Sequence, residues 1–188
     1  DLVTTTWDIL SGAAKPGENV LLYEDNGNHP GFTTAEFLAG AGSKLEIATP
    51  ERTLAPEVGG TNYPLYFKAI HQAKATISLN VRLEGVRREG NQLVATLLND
   101  YDRSRVERRV DQVVVEHGTL ANEDLYFSLK PSSKNGGEVD YRALEAGRPQ
   151  TVERNPEGLF TLYRIGDAVA SRNTHAAIYD ALRLVRYV

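Results

Sequence analysis

GENVLLYEDNGNHPGFTTAEFLAGAGSKLEIATPE, residues 17–51, holds the stretch that decides the fold. Asn19 to Tyr23 is a short apolar run, which reads as a buried parallel strand. Asp25 to Gly31 is rich in Asn, Gly and Pro and reads as the loop that follows it. Thr33 or Thr34 can cap a helix carrying Ala35, Phe37, Leu38 and Ala41, and Gly40 and Gly42 suit its end. Lys44 to Ala48 is a second apolar strand. Strand, loop, helix and strand in that order make a βαβ unit, whose crossover is expected to be right-handed.

Upstream, Val3 to Gly17 reads as a linker, punctuated by Lys15-Pro16-Gly17. Downstream, Tyr63 to Ala73 suits an amphipathic helix with Leu65, Ile70 and Ala73 inward. Thr76 to Glu84, Gln92 to Leu98 and Val106 to Val115 are β-rich and separated by turn residues, which predicts an antiparallel meander. Pro131 to Gln150 is polar and glycine-rich, a loop with a short helix at Tyr141 to Ala146. Leu159 to Ile165 reads as a strand, and Thr174 to Val185 as a helix with Ala177, Ile178, Ala181, Leu182 and Val185 at helical spacing. The fold class expected is α/β: a Rossmann-like three-layer domain with a central parallel sheet and an antiparallel β-meander.

Composition excludes several function classes. A net charge of −4 over 188 residues gives no basic field for a phosphate backbone, so nucleic acid is not an expected partner. No apolar run reaches the roughly 18 residues of a membrane span and no signal-like start is present, which predicts a cytoplasmic protein. Without cysteine the chain itself can hold no disulfide, thiolate zinc site or cysteine-ligated cluster. It also lacks methionine, so Asp1 is expected to be a processed or engineered end, with removal of a terminal methionine as the alternative, and the opening residues read like an entry in mid-protein. A second copy of the chain, as a homo-oligomer, stays open as a partner.

A dinucleotide site would place G-x-G-x-x-G after the first strand, so that backbone amides and a helix N-terminus meet the pyrophosphate. Here the loop offers Gly27 and Gly31 at longer spacing, with Asp25 where a glycine would allow close approach and Pro30 lacking an amide donor. That favours a structural loop over an NAD(P) site. The second strand ends in Ala48-Thr49-Pro50, where Thr49 can touch a ribose or serve as a turn residue. Gly166-Asp167, read as lying between a strand and a helix, can accept a hydrogen bond from a ribityl hydroxyl, or the site is an ordinary helix cap with Asp167 or Asn173 satisfying the free amides. His29, His71, His117 and His175 fall on separate elements with no i, i+4 pair, which gives no metal motif. Arg103, Arg105, Arg108 and Arg109, interleaved with acids, read as a solvated face.

The order of these pieces resembles a known family. Val113-Val114-Val115-Glu116-His117-Gly118-Thr119-Leu120-Ala121-Asn122 is similar to the strand and turn A-x-G-x-x-P-N that end the NAD-type domain of two-dinucleotide flavoproteins, with Glu116 for the usual alanine and Ala121 for the usual proline. Leu162 to Ala168 resembles their "a-I-G-D-a" return to the FAD-type domain, and residues 17–51 look most like the trimethylamine dehydrogenase and 2,4-dienoyl-CoA reductase group of NADH:flavin oxidoreductases, in particular its N-methylproline or dimethylglycine demethylase-like members. The resemblance implies a linker at 1–18, an NAD(P)-type dinucleotide-binding-like domain at 19–130, a loop-rich connection at 131–158 and a strand-helix return to the FAD-type domain at 159–188. It further implies FAD or ADP, and NAD(P), in the full-length protein, with an FMN-bearing barrel and an iron–sulfur cluster outside this chain. The remainder of the parent polypeptide and an electron-transfer protein are the implied partners. No catalytic residue is assigned, and the chain is not expected to catalyse a reaction alone. The alternatives are a non-catalytic module that holds ADP or makes a subunit contact, and a working NAD(P)H-docking domain.

Overall fold

The structure, a computed structural model, describes residues 2–188; Asp1 lies outside the described residues. The chain divides into two compact units, residues 1–118 and 119–188.

The first unit is built on a five-stranded parallel sheet. Its strands are β1 (Thr4–Thr5), β2 (Asn19–Glu24), β3 (Lys44–Ala48), β4 (Thr76–Ser78) and β8 (Gln112–Glu116), in the order β1-β8-β2-β3-β4. A second sheet, antiparallel, joins β5 (Val81–Glu89), β6 (Gln92–Asn99) and β7 (Arg105–Val110). Helices α1 (Thr6–Leu10), α2 (His29–Gly40) and α3 (Tyr63–Gln72) complete the unit.

β2 and β8 are the apolar central strands because both of their faces are covered. On one face Val20, Leu22, Leu45, Ile47 and Val114 pack with Ile9 of α1, Phe32, Ala35 and Leu38 of α2, and Ile70 of α3. On the other, Leu21, Tyr23, Ala48 and Val113 pack with Leu93, Ala95, Leu97 and Val110 of the meander. The unit is thus three layers: helices, parallel sheet, antiparallel sheet. The alternation along β3, with Leu45 and Ile47 to the helices and Ala48 to the meander, follows from the strand's period of two.

Several expectations need correction. The stretch read as a linker forms β1, which pairs with β8, and α1, which buries Ile9. A capping box starts α1: Thr5 Oγ1 accepts from the Asp8 amide at 3.1 Å, and Asp8 Oδ2 accepts from the Thr5 amide at 2.8 Å. Helix α2 begins at His29, not after Thr33, because Asn28 Oδ1 accepts from the His29 amide at 2.8 Å and Pro30 sits in the first turn, where its missing N–H costs nothing. The stretch 76–84 splits between the two sheets, as does 106–115. At the second split Asp111 turns the chain, its Oδ2 accepting from the Asn19 amide at 2.9 Å and Nδ2 at 3.0 Å. Residues 112–116 therefore enter the parallel sheet as β8 instead of ending the meander.

The basic cluster also divides. Arg105 and Arg109 pair with Glu84 and Glu89 on the exposed face of the meander, whereas Arg108 reaches Glu46 of β3 at 2.8 Å in a half-buried pair.

The second unit contains α4 (Asp124–Leu129), α5 (Tyr141–Glu145) and α6 (Thr174–Val185) joined by irregular chain. Leu159 to Ile165, read as a strand, is not one. Its backbone is held by loop groups instead: Asn135, fully buried, donates from Nδ2 to Leu162 O at 2.8 Å and accepts the Leu162 amide on Oδ1 at 2.8 Å, and the Lys134 amide donates to Phe160 O at 2.7 Å. Ala143 and Leu184 are the buried hydrophobic residues of this unit, while Leu120, Leu125, Leu159, Ile178, Leu182 and Val185 are exposed. Its fully buried apolar core is therefore small against a backbone entropy on the order of 1–2 kcal/mol per residue.

Candidate functional site at the ends of the parallel strands

In an open α/β sheet, ligands bind beyond the carboxyl ends of the strands, where the chain order reverses. From β2 the chain proceeds outward through β3 to β4, and it returns through β8 on the other side of β2. The reversal therefore lies between β2 and β8, whose last residues Glu24 and Glu116 are register partners.

Both carboxylates are buried and both fold back on the chain that follows them. Glu24 Oε1 accepts from the Asn26 amide at 3.0 Å and the Gly27 amide at 2.6 Å. Glu116 Oε1 accepts from the Gly118 amide at 2.8 Å and from Asn26 Nδ2 at 3.5 Å, and its Oε2 accepts from the Thr6 hydroxyl. Burial pushes the Glu24 carboxyl up to about 7, against the two amides that favour its charge and with smaller upward pushes from Glu116 and Asp25.

Of the residues expected at a site, Asp25, Gly27 and Gly31 are brought together here. Asp25 Oδ2 lies 2.9 Å from His117 Nδ1 across the strand ends. Gly27 takes a φ of +68°, and a Cβ on it would come within 2.7 Å of Pro56 Cγ, so the loop needs glycine there for both reasons. Gly31, in the first turn of α2, is packed on Glu24 so closely that a Cβ would overlap Glu24 Cγ. Thr49, fully buried, accepts the Glu51 amide on its hydroxyl at 3.2 Å, receives the Val81 amide at its carbonyl at 3.0 Å, and donates its own amide to Ser78 O at 3.0 Å. It links β3 to the strands that follow.

Gly166 and Asp167 belong to the second unit. They lie in a 3-10 turn, with Gly166 at φ +56° and Asp167 exposed. The Gly166 amide donates to Asp180 Oδ2 at 3.1 Å, and a Cβ on Gly166 would stand 3.1 Å from Ala177 Cβ, so this turn packs directly on α6. The cap of α6 is Asn173, whose Oδ1 accepts from the Ala176 amide at 2.9 Å. Asp167 is therefore not the cap of that helix.

Sequence reasoning did not single out Glu24 as a functional position, nor the closure of Glu116 on its own strand end. The available signal was a carboxylate at the end of each central apolar run, followed within two or three residues by a glycine. No group of three or more acidic or histidine side chains spaced to hold a metal occurs among the described residues, and none of their helices is long and apolar enough to cross a membrane.

No family model matches the chain. It is 52% identical over 186 residues to a probable N-methylproline demethylase of Rhizobium meliloti (strain 1021), a match covering 99% of this chain and 27% of that protein. It is 44% identical over 189 residues to an N,N-dimethylglycine/sarcosine dehydrogenase of Chromohalobacter salexigens, covering 98% of this chain and 27% of that protein. The chain thus spans about a quarter of the length of the curated relatives it matches. Among solved structures, histamine dehydrogenase from Rhizobium sp. 4-9 superposes with a TM-score of 0.68 at 19% identity, over 98% of this chain and 24% of that one. An amine oxidase acting on 6-hydroxypseudooxynicotine, from Pseudomonas geniculata N1, superposes with a TM-score of 0.67 at 23% identity, over 95% of this chain and 23% of that one. At these identities the two structures establish the shared fold.

Proposed function

We propose that the chain is the C-terminal portion of a flavin-dependent oxidoreductase of the N-methylproline or dimethylglycine demethylase type, belonging to the trimethylamine dehydrogenase and 2,4-dienoyl-CoA reductase group. The observation that carries the reading is the 52% identity to a demethylase along 99% of this chain but only 27% of that relative. In this reading residues 1–118 are a Rossmann-like, NAD(P)-type unit and residues 119–188 a segment completed by the preceding FAD-type domain. The apolar side chains left exposed on the second unit, Leu159 and the α6 stripe Ile178, Leu182 and Val185 among them, support its completion by further polypeptide.

The two nucleotide expectations fare differently against the residues present. The loop after β2 does not fit a dinucleotide: Asn26 and Gly27 already donate to Glu24, His29 to Asn28, and Pro30 has no amide proton. Asp167 fits a contact to FAD or ADP, because its carboxylate is exposed on a tight turn packed against α6 and is not consumed by capping. The chain's own contribution would be to bind and orient the adenine-nucleotide half of a flavin. Substrate oxidation, FMN and an iron–sulfur cluster belong to the rest of the parent, electrons leave to a separate acceptor protein, and the location is cytoplasmic. The test is flavin content in the full-length parent and its Asp167→Ala variant, where loss of a charge-assisted hydrogen bond of about 1.5–3 kcal/mol should weaken FAD or ADP retention roughly tenfold or more.

A further inference from the structure

The strand ends at the reversal point carry carboxylates where a dinucleotide domain needs free donors. A pyrophosphate is held there by loop amides and by a helix N-terminus, and glycines let it approach the backbone. Here the amides of Asn26 and Gly27 converge at 3.0 and 2.6 Å on Glu24 Oε1, and the Gly118 amide is taken by Glu116 at 2.8 Å. Gly31 occupies the helix-start position at which a small residue admits a phosphate, yet the space it leaves is filled by the Glu24 side chain itself. Both carboxylates are buried and hold these amides, so an incoming anion would have to displace them from their donors.

We propose that Glu24 is a built-in occupant of the dinucleotide pyrophosphate seat, seconded by Glu116, and that together they exclude NAD(P)H from this domain. The inference rests on the reading of this unit as a dinucleotide-binding type. Glu24 fills the seat in either protonation state, because Oε1 accepts the two amides whether or not the other oxygen carries a proton. Gly31 is then retained for an internal carboxylate, and Asn26 locks the two strand ends together by donating its side-chain amide to Glu116.

The test follows the Asn26 and Gly27 amides by nuclear magnetic resonance in the 188-residue chain while inorganic pyrophosphate, and separately ADP, is added to millimolar concentration. Neither amide should respond in the wild type, and both should exchange with solvent at least tenfold more slowly than unstructured amides. In Glu24→Ala they should shift saturably, with an apparent affinity at least tenfold above any wild-type response. Equal response in the two proteins overturns the proposal, as does no response in a folded Glu24→Ala. Should that variant fail to fold, fast exchange or saturable pyrophosphate shifts at the wild-type amides alone would overturn it. No flavin enters this measurement, so it can fail while the oxidoreductase assignment stands.

Discussion

Gly31 of α2 lies against Glu24 of β2 so closely that the smallest side chain on one would overlap the other. The strand-to-helix loop is therefore organised around a buried carboxylate of its own. Gly31→Ala should force Glu24 out of contact with the Asn26 and Gly27 amides and destabilise the first unit by about 1–3 kcal/mol, the range for overpacking. Urea unfolding of the chain measures this, and a change below about 0.5 kcal/mol would mean that the loop accommodates a methyl group.

Glu24 also gives the first unit a pH dependence whose sign is fixed by its raised pKa of about 7, against 4.5 ordinarily. Its proton is held more tightly in the folded state than in the unfolded one. The resulting contribution is complete below the unfolded value and is lost as pH rises through about 7, in total about 3 kcal/mol. Glu24→Gln removes the titration while keeping the shape. The variant should therefore gain on the wild type between pH 5 and pH 8 in urea unfolding, and a pH-independent difference between the two would refute this assignment.

Much of this architecture was legible in the sequence, and the misreadings have physical causes. β2, β3, α3 and α6 were read at or within a residue of their bounds because each is a sharply bounded apolar or periodic run. The start of α2 was misplaced because Asn28, Pro30 and Gly31 look like loop, although an Asn cap followed by proline is a helix opening. Residues 106–115 read as one strand because β propensity is continuous across Asp111; which sheet each half joins is decided by partners far away in the chain. Leu159 to Ile165 has strand composition but no strand partner, and the buried Asn135 side chain holds its backbone instead. Asp25 was read as the acidic intruder in the dinucleotide loop. In the structure the buried carboxylate at this loop is its neighbour Glu24, which holds the Asn26 and Gly27 amides, while Asp25 reaches sideways to His117.

The second unit should be the weaker part of the 188-residue chain, because its buried apolar residues are Ala143 and Leu184. Hydrogen exchange should be faster through residues 119–188 than through β2, β6 and β8, and limited proteolysis should cut there first. Equal protection in both units would contradict the view that further polypeptide completes the second.

Asn173 and Asp167 separate a cap from a binding residue. Asn173→Ala should lower the stability of α6 by about 0.5–2 kcal/mol through loss of the bond to the Ala176 amide. Asp167→Ala should leave the thermal stability of the isolated chain nearly unchanged, within about 0.5 kcal/mol, because its carboxylate is exposed and does not cap the helix. A larger loss for Asp167→Ala than for Asn173→Ala in thermal melts would reverse these roles.

The central claim, that this chain is part of a flavin-dependent oxidoreductase and contributes one side of its adenine-nucleotide site, is tested most directly by flavin content in matched preparations. Full-length parent, full-length Asp167→Ala and the 188-residue chain would be purified and their bound flavin released and quantified. The account predicts stoichiometric flavin in the parent, FAD or ADP retention weakened by roughly tenfold or more in the variant, and none in the isolated chain. A parent without flavin, or an isolated chain that retains it, would contradict the account.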